Sequence, residues 1–289
     1  MATNPSIVSR ADHAGSNSTI GVVTDASADV PAVERHDMRW DVVPETWQVE
    51  GHEITDTGEA SRRLIRSLLR DDAAVVSTPR PEHFTRAYEK QLAAGAAHVW
   101  SIHASREFSD AVLQAREAAA DDPQVSVVET GVASIGAGLL ACRVLQLSAS
   151  GCTQTEIADY VQRHAHAVRF LVVPDHFDPA GGRRMMVDRL LAGTPMLSAA
   201  DGHVTRSRRL RSRRATVAAI QQHLHAHAPA DATIHMAIGH GDAAGAVDPF
   251  LDIIERIRPH ASIELVGRIG PRVVQQLGAR CVGLAWIVE

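Results

Sequence analysis

From residue 20 to about residue 150, short β-branched runs alternate with stretches of helical period. The strand-like runs cover residues 20–24, 74–77, 98–103 and 125–129, with a shorter one at 42–43. Amphipathic segments lie between them. Leu64, Ile65, Leu68 and Leu69 form one apolar stripe, and Phe84, Ala87 and Tyr88 a second. Phe108, Ala111, Val112 and Ala115 form a third, at the i, i+3, i+4, i+7 spacing of one helix face. Strands alternating with helices predict βαβ units, and so a parallel sheet with right-handed crossovers. Residues 134–150 predict a long apolar helix that Gly151 can end. Thr153, with Glu156 three residues on, makes a capping box that opens a helix carrying Ile157, Tyr160 and Val161.

Beyond a strand at residues 169–173 the pattern changes. Residues 175–214 hold a Gly-Gly pair, short apolar pieces and an Asp-Gly turn at Asp201 and Gly202. Residues 196–199 and 203–206 flank that turn as a hairpin. A strand at 233–238, a helix at 249–257 and strands at 262–266 and 281–288 follow. The expected class is α/β with two lobes, residues 19–168 and 169–289. Residues 1–18 are Ser/Asn/Ala/Asp-rich and without period, as in a variable N-terminal extension.

A chain of 289 residues can bury ample core in two lobes of ordinary size. No run approaches the roughly 20 apolar residues that span a bilayer, and the start lacks a secretory pattern. A cytoplasmic, monomeric protein without stable membrane insertion is expected. Cys142, Cys152 and Cys281 are scattered and outside any CxxC, which disfavours disulfides and zinc. His223, His225 and His227 splay around a helix rather than sharing a face, so no metal is expected there either. A net charge of −5 argues against general nucleic-acid binding. Lys90 is the only lysine among 29 basic residues, a compositional bias toward arginine.

Ligands of open parallel sheets bind beyond the carboxyl ends of the strands. Thr24 and Asp25, Ser77 and Thr78, and Ser105 and Arg106 occupy those places, each before a predicted helix. Small hydroxyls beside helix N-termini suit a carboxylate head group, and the same residues also serve as ordinary caps. GxSxG and GxxxxGK[ST] are absent, and no catalytic residue is assigned. Gly131, Gly136 and Gly138 do not form GxGxxG and read as close-packing positions. His240, in Gly-His-Gly-Asp, reads first as part of a turn and only second as catalytic.

Six segments in order resemble the DegV family, from about residue 19 to the C-terminus. IGVVTDASADVP is similar to its strand followed by TDS-x-D-L/I-P, and VVPETWQVEGHEITD to its second block. STPRPEHF resembles TSQPSPxxF, and SIHASREFSDAVLQA resembles S-S-x-L-S-G-T-x-x-x-A after a strand. VVETGVASIGAGLL and AGGRRMMVDRLLAGTPMLSAADGHV are similar to the S-x-G-x-G and G-G-R-I…K-P-I-L…D-G blocks.

The resemblance implies two α/β lobes with an apolar tunnel between them and a long-chain fatty acid as ligand. It implies no cofactor and no chemistry by the chain itself. The acyl chain is expected to be presented to a fatty acid kinase catalytic subunit. Carried over by position, Ser105 hydrogen-bonds the carboxylate, Ser77 or Thr78 assists, and Arg183 orders the head-group network. Gln276 stands where the family pattern has histidine, Val76 where it has a threonine, and Arg106, Asp110 and Ala111 replace a serine and a Gly-Thr pair. The competing readings are an enzyme acting on a small polar metabolite by phosphoryl transfer or hydrolysis, and a regulatory interaction protein. Arg206 to Arg214 hold six arginines and no acid. The run follows the hairpin and reads as a solvated basic face, or as a dock for an acidic partner.

Overall fold

A computed structural model of the chain describes residues 19–31, 39–56, 62–68, 70, 74–120, 122–174, 194–277 and 280–289, with residues 62, 63, 174, 194, 195, 207, 208, 276 and 277 as backbone alone. The first sheet contains β1 (Ile20–Asp25), β2 (Trp40–Val43), β6 (His98–His103) and β7 (Val125–Glu129), in the order β2-β1-β6-β7. Every neighbouring pair in it is parallel, as the alternation predicts. β1 and β6 are buried at every residue, as central strands covered on both faces must be. Their two faces feed different cores. Val23 and Val99 join Phe84 and Tyr88 of α2 (Pro81–Ala93) and Ala111 and Ala115 of α3 (Ala111–Ala118), while Ile20 and Val22 join Leu139 and Leu140 of α4 (Ile135–Ala149).

The second sheet contains β8 (Arg169–Pro174), β9 (Thr194–Ala200), β10 (His203–Leu210), β11 (Ile234–His240), β12 (Ser262–Arg268) and β13 (Cys281–Val288). Its order is β10-β9-β8-β13-β11-β12, antiparallel except for the parallel pair β11–β12. Phe250 and Ile254 of α7 (Val247–Ile257) and Ile220 and Leu224 of α6 (Arg213–His227) pack with Trp286 on one face. α4 lies on the other, in contact with both sheets, and its nearly all-round apolar surface suits that burial. A Cβ on Gly138 would stand 2.8 Å from the Ala28 carbonyl oxygen of the first lobe. One on Gly136 would meet Val132 at 2.7 Å, so these glycines do pack closely. α5 (Gln154–His164) opens with the predicted Thr153–Glu156 box.

Two expectations need correction, and one hairpin went unpredicted. Residues 74–77 do not join the parallel sheet. β5 (Val75–Ser77) pairs antiparallel with β3 (Glu45–Val49), which pairs with β4 (His52–Asp56), in a separate sheet ordered β4-β3-β5. The reason is length and exposure: β5 has three residues and Val75 is 60% exposed, unlike the fully buried β1 and β6. The β3–β4 hairpin itself escaped the sequence reading because its turn is Glu50-Gly51, both at positive φ, where Asn-Gly is the usual signal. Lastly, β10 runs on to Leu210, so the first arginines of the basic run belong to the edge strand and do not follow the hairpin. Charged side chains on an edge also hinder edge-to-edge pairing.

Candidate functional site

The loop leaving β1 builds the centre of the junction between the lobes. Asp25 caps a 3-10 turn over Ala26–Ala28, accepting the Ser27 N–H at 3.1 Å and the Ser27 hydroxyl. The chain then passes through Asp29 at φ 50, a left-handed conformation that Asp tolerates better than most residues. This turn sends the Asp29 carboxylate to the second lobe, where it accepts the Gly270 N–H at 2.7 Å, and it also accepts the Ser134 hydroxyl. Ser134 is itself at φ 56. A Cβ on Gly270 would fall 1.8 Å from the Asp29 carboxylate, so this approach requires glycine.

Beside this contact Glu45 opens β3 at 1% exposure. Its carboxylate accepts from Arg272 of α8 (Pro271–Leu277): Nε at 2.9 and 3.1 Å and Nη2 at 2.6 Å. Arg272 Nη1 donates to the Phe108 carbonyl at 2.9 Å. Ser27, Asp29, Glu45, Asp56, Ser134 and Arg272 line a cavity of about 10 Å³, room for roughly one water molecule. No acyl chain fits in a space of that size. Burial pushes the Asp29 carboxyl well above its usual range, against the hydrogen bonds from Ser134 and Gly270, and the charges of Asp56 and Glu45 add to the rise. Burial likewise raises Glu45 to about 7 although Arg272 pulls the other way, and Asp25 and Asp56 add to the rise.

A second polar chain runs from Asp25 into the first lobe. Asp25 Oδ1 meets His103 Nδ1 at 2.6 Å, His103 Nε2 meets Ser101 Oγ at 2.7 Å, and Ser101 Oγ meets Tyr88 OH at 2.8 Å. The order is that of a Ser–His–Asp triad. Yet Asp25, Ser101 and His103 are all 0% exposed and the serine hydroxyl is shared with tyrosine, so the chain braces the core and no substrate reaches it. Burial pushes Asp25 upward, but the hydrogen bond and charge of His103, with the Ser27 bonds, hold it below its ordinary value.

Ser105 follows β6 at 2% exposure and lies at the lobe contact. Its hydroxyl donates to the Gly202 carbonyl at 3.4 Å and accepts the Glu107 N–H at 3.3 Å. Gly202 belongs to the β9–β10 hairpin turn, which docks on the first lobe through Gly202 N–H to Gly131 O at 3.0 Å and Val204 N–H to Glu107 at 2.8 Å. Ser105 also starts the tight turn that ends at Phe108, whose carbonyl holds Arg272. Ser77 is exposed and stands opposite Thr46, the neighbour of Glu45 in the chain, and Thr78 is half-buried. Ser77 and Ser105 therefore fall on segments next to the Glu45–Arg272 pair. Arg183 lies outside the described residues, and of Gln276 only the backbone is described, about one helical turn beyond Arg272. His240 Nδ1 accepts the Ala243 N–H at 3.3 Å, a turn role. Among the described residues no group of His, Cys, Asp and Glu is arranged for a metal, and none of the three cysteines is in a disulfide. Sequence reasoning missed Asp29, Glu45, Asp56 and Arg272. Asp29, Glu45 and Asp56 stood in segments that carry the family resemblance, but nothing local joins Glu45 to Arg272, 227 positions away.

These features define a two-lobed α/β protein with a buried, acidic, arginine-bearing junction. Residues 19–289 match the family model described as "Uncharacterised protein, DegV family", and the chain belongs to the DegV family. It is similar to a DegV domain-containing protein of Streptomyces coelicolor, 25% identical over 92% of this chain and 97% of that one. Another, from Deinococcus radiodurans, is 29% identical over 71% and 76%. Among solved structures, a fatty-acid-binding DegV family protein from Thermus thermophilus matches with a TM-score of 0.75 and 26% identity, covering 94% of this chain and all of that one. Bacillus subtilis DegV, described as a fatty acid binding protein, shares the fold with a TM-score of 0.74 at 19% identity. Among the described residues no helix is long and apolar enough to cross a membrane.

Proposed function

We propose that this chain binds a long-chain fatty acid between its lobes in the cytoplasm, carries out no chemistry on it, and presents it to a partner such as a fatty acid kinase. The observation that carries the reading is the full-length likeness to the Thermus thermophilus protein, whose described property is fatty acid binding. The geometry of Ser105 supports it. Its 3.4 Å bond to Gly202 is long against the roughly 2.7–2.8 Å preferred between oxygens, so a carboxylate, a stronger acceptor, would replace that carbonyl at a gain. Ser77 or Thr78 would assist. Arg183 would order the head-group network, and Gln276 would donate or accept a hydrogen bond without supplying charge. The fatty acid is then the ligand, and no cofactor takes part.

The test is organic extraction of the purified protein followed by mass spectrometry. An acyl carboxylic acid in the extract supports the carrier. A bound polar metabolite in its place would favour an enzyme using the same cleft.

A further inference from the structure

On the reading that the ligand is a fatty acid, we infer that Arg272 receives its carboxylate and that Glu45 is a built-in competitor for the same edge of the guanidinium. An arginine offers five N–H donors in a rigid fork. Here Nη1 is fixed by the Phe108 carbonyl at 2.9 Å, a bond independent of Glu45. The Nε–Nη2 edge, which takes a carboxylate side-on, holds the Glu45 carboxylate. That edge is therefore oriented for one carboxylate and stays oriented when the carboxylate changes. Phe108, whose carbonyl holds Arg272, ends the turn that Ser105 begins, so one turn of the chain links the two residues. Arg272 is the more reachable of the pair, its side chain 17% exposed against 1% for Glu45.

Charge decides how the exchange proceeds. Glu45 faces Arg272 from α8, Asp25 from the end of β1, Asp29 from the loop after it, and Asp56 from β4. On α1 (Arg62–Leu68), which packs against α8, the described cation Arg66 is exposed and paired with Asp242 at 3.1 Å. One arginine among so many acids does not hold a second ionised carboxylate beside an ionised Glu45. Glu45 must therefore take a proton from solvent as the ligand carboxylate takes its place, which leaves the charge of the junction unchanged. Burial makes that proton available near neutrality, since it raises Glu45 to about 7. Above that pH each bound carboxylate carries in about one proton, and affinity falls by up to about tenfold per pH unit.

The experiment measures palmitate affinity from pH 5.5 to 9 for the natural protein, Glu45→Gln, and the double variant Glu45→Gln/Arg272→Gln. The double variant replaces a buried ion pair by a neutral pair of similar shape, which leaves no uncompensated charge to unfold the protein. The natural protein should bind evenly at low pH and weaken above about pH 7. Glu45→Gln should show a flat profile and, at pH 8.5, bind about tenfold or more tighter. The double variant should bind about 10- to 100-fold more weakly than Glu45→Gln, the usual loss for a charged hydrogen-bond donor. A flat profile in the natural protein, or equal affinity of the single and double variants, overturns the assignment. Absence of palmitate binding by the natural protein at every pH, with no acyl chain extractable, overturns the fatty-acid reading itself and this inference with it.

Discussion

Glu45→Gln also tests which force governs the stability of the junction. Two arguments give opposite signs. If the Glu45–Arg272 bond is worth more than the desolvation of its charges, removing the carboxylate should destabilise by about 3–5 kcal/mol, the usual cost of breaking a buried pair. If desolvation and the neighbouring acids dominate, the neutral residue should be better tolerated. The raised Glu45 carboxyl favours the second argument. A folded-state value of about 7 against 4.5 means that the protonated side chain is the preferred buried form, by about 3 kcal/mol. Because the folded value is the higher one, this stability is fully present below pH 4.5 and is lost as pH rises through 7. Glutamine mimics the protonated form at every pH. Urea unfolding should therefore find the two proteins similar near pH 4.5, with Glu45→Gln more stable by about 3 kcal/mol at pH 8. Asp29 and Asp25 titrate in both proteins, so the difference between the two curves reports Glu45 together with its electrostatic coupling to them. A Gln variant less stable than the natural protein at pH 8 refutes the reasoning and makes the ion pair the stronger term.

Ser105→Ala should weaken fatty-acid binding by about 1.5–3 kcal/mol by titration calorimetry, and unchanged affinity removes the residue from the head-group site. His103→Leu should cost about 3–5 kcal/mol in urea unfolding at pH 7, because it leaves the Asp25 carboxylate buried and uncompensated. The penalty should shrink below pH 3.8, where the contribution of a depressed carboxylate is lost, and a penalty under about 1 kcal/mol at pH 7 would show that Asp25 is not charged in the fold. Changing Arg208, Arg209 and Arg211 together to Ser should leave fatty-acid binding intact while slowing association with a cognate kinase and flattening its salt dependence. Association unaffected at low salt would reduce the basic run to a solvated face.

The parallel sheet was legible because β1, β6 and β7 are short Val/Ile-bearing runs separated by helices of clear period. The β9–β10 hairpin was legible for a different reason: Asp201 and Gly202, both at positive φ, form the turn that an Asp-Gly pair announces. β5 was misassigned because three residues carry too little pattern to tell a half-exposed edge from a buried core strand. Ser105 was found as a residue after a strand, and its place at the lobe contact follows from topology. Its actual partner, Gly202, lies 97 positions on, and no local rule connects the two. Arg272 was missed for a further reason. In sequence it is one more arginine in a chain with a single lysine, and only the opposing lobe gives it a carboxylate.

The residues that escaped the sequence reading share a physical character. Asp29 and Ser134 hold positive φ, Asp29 and Glu45 are acids kept in the interior, and each departs from what its local sequence favours. Such departures persist only where the surroundings over-determine them, and here both lobes do so at once: Asp29 is fixed by Gly270 of the second lobe and Glu45 by Arg272. Both of these bonds across the junction therefore end on a carboxylate whose charge is costly to maintain. A ligand that supplies its own carboxylate lets Glu45 take up a proton and relax, so the energy stored by burial becomes part of the driving force for binding. Stability and affinity are then coupled through one side chain. A change at Glu45 that stabilises the fold at pH 8 should also tighten binding at that pH, where a merely structural residue would move the first quantity alone.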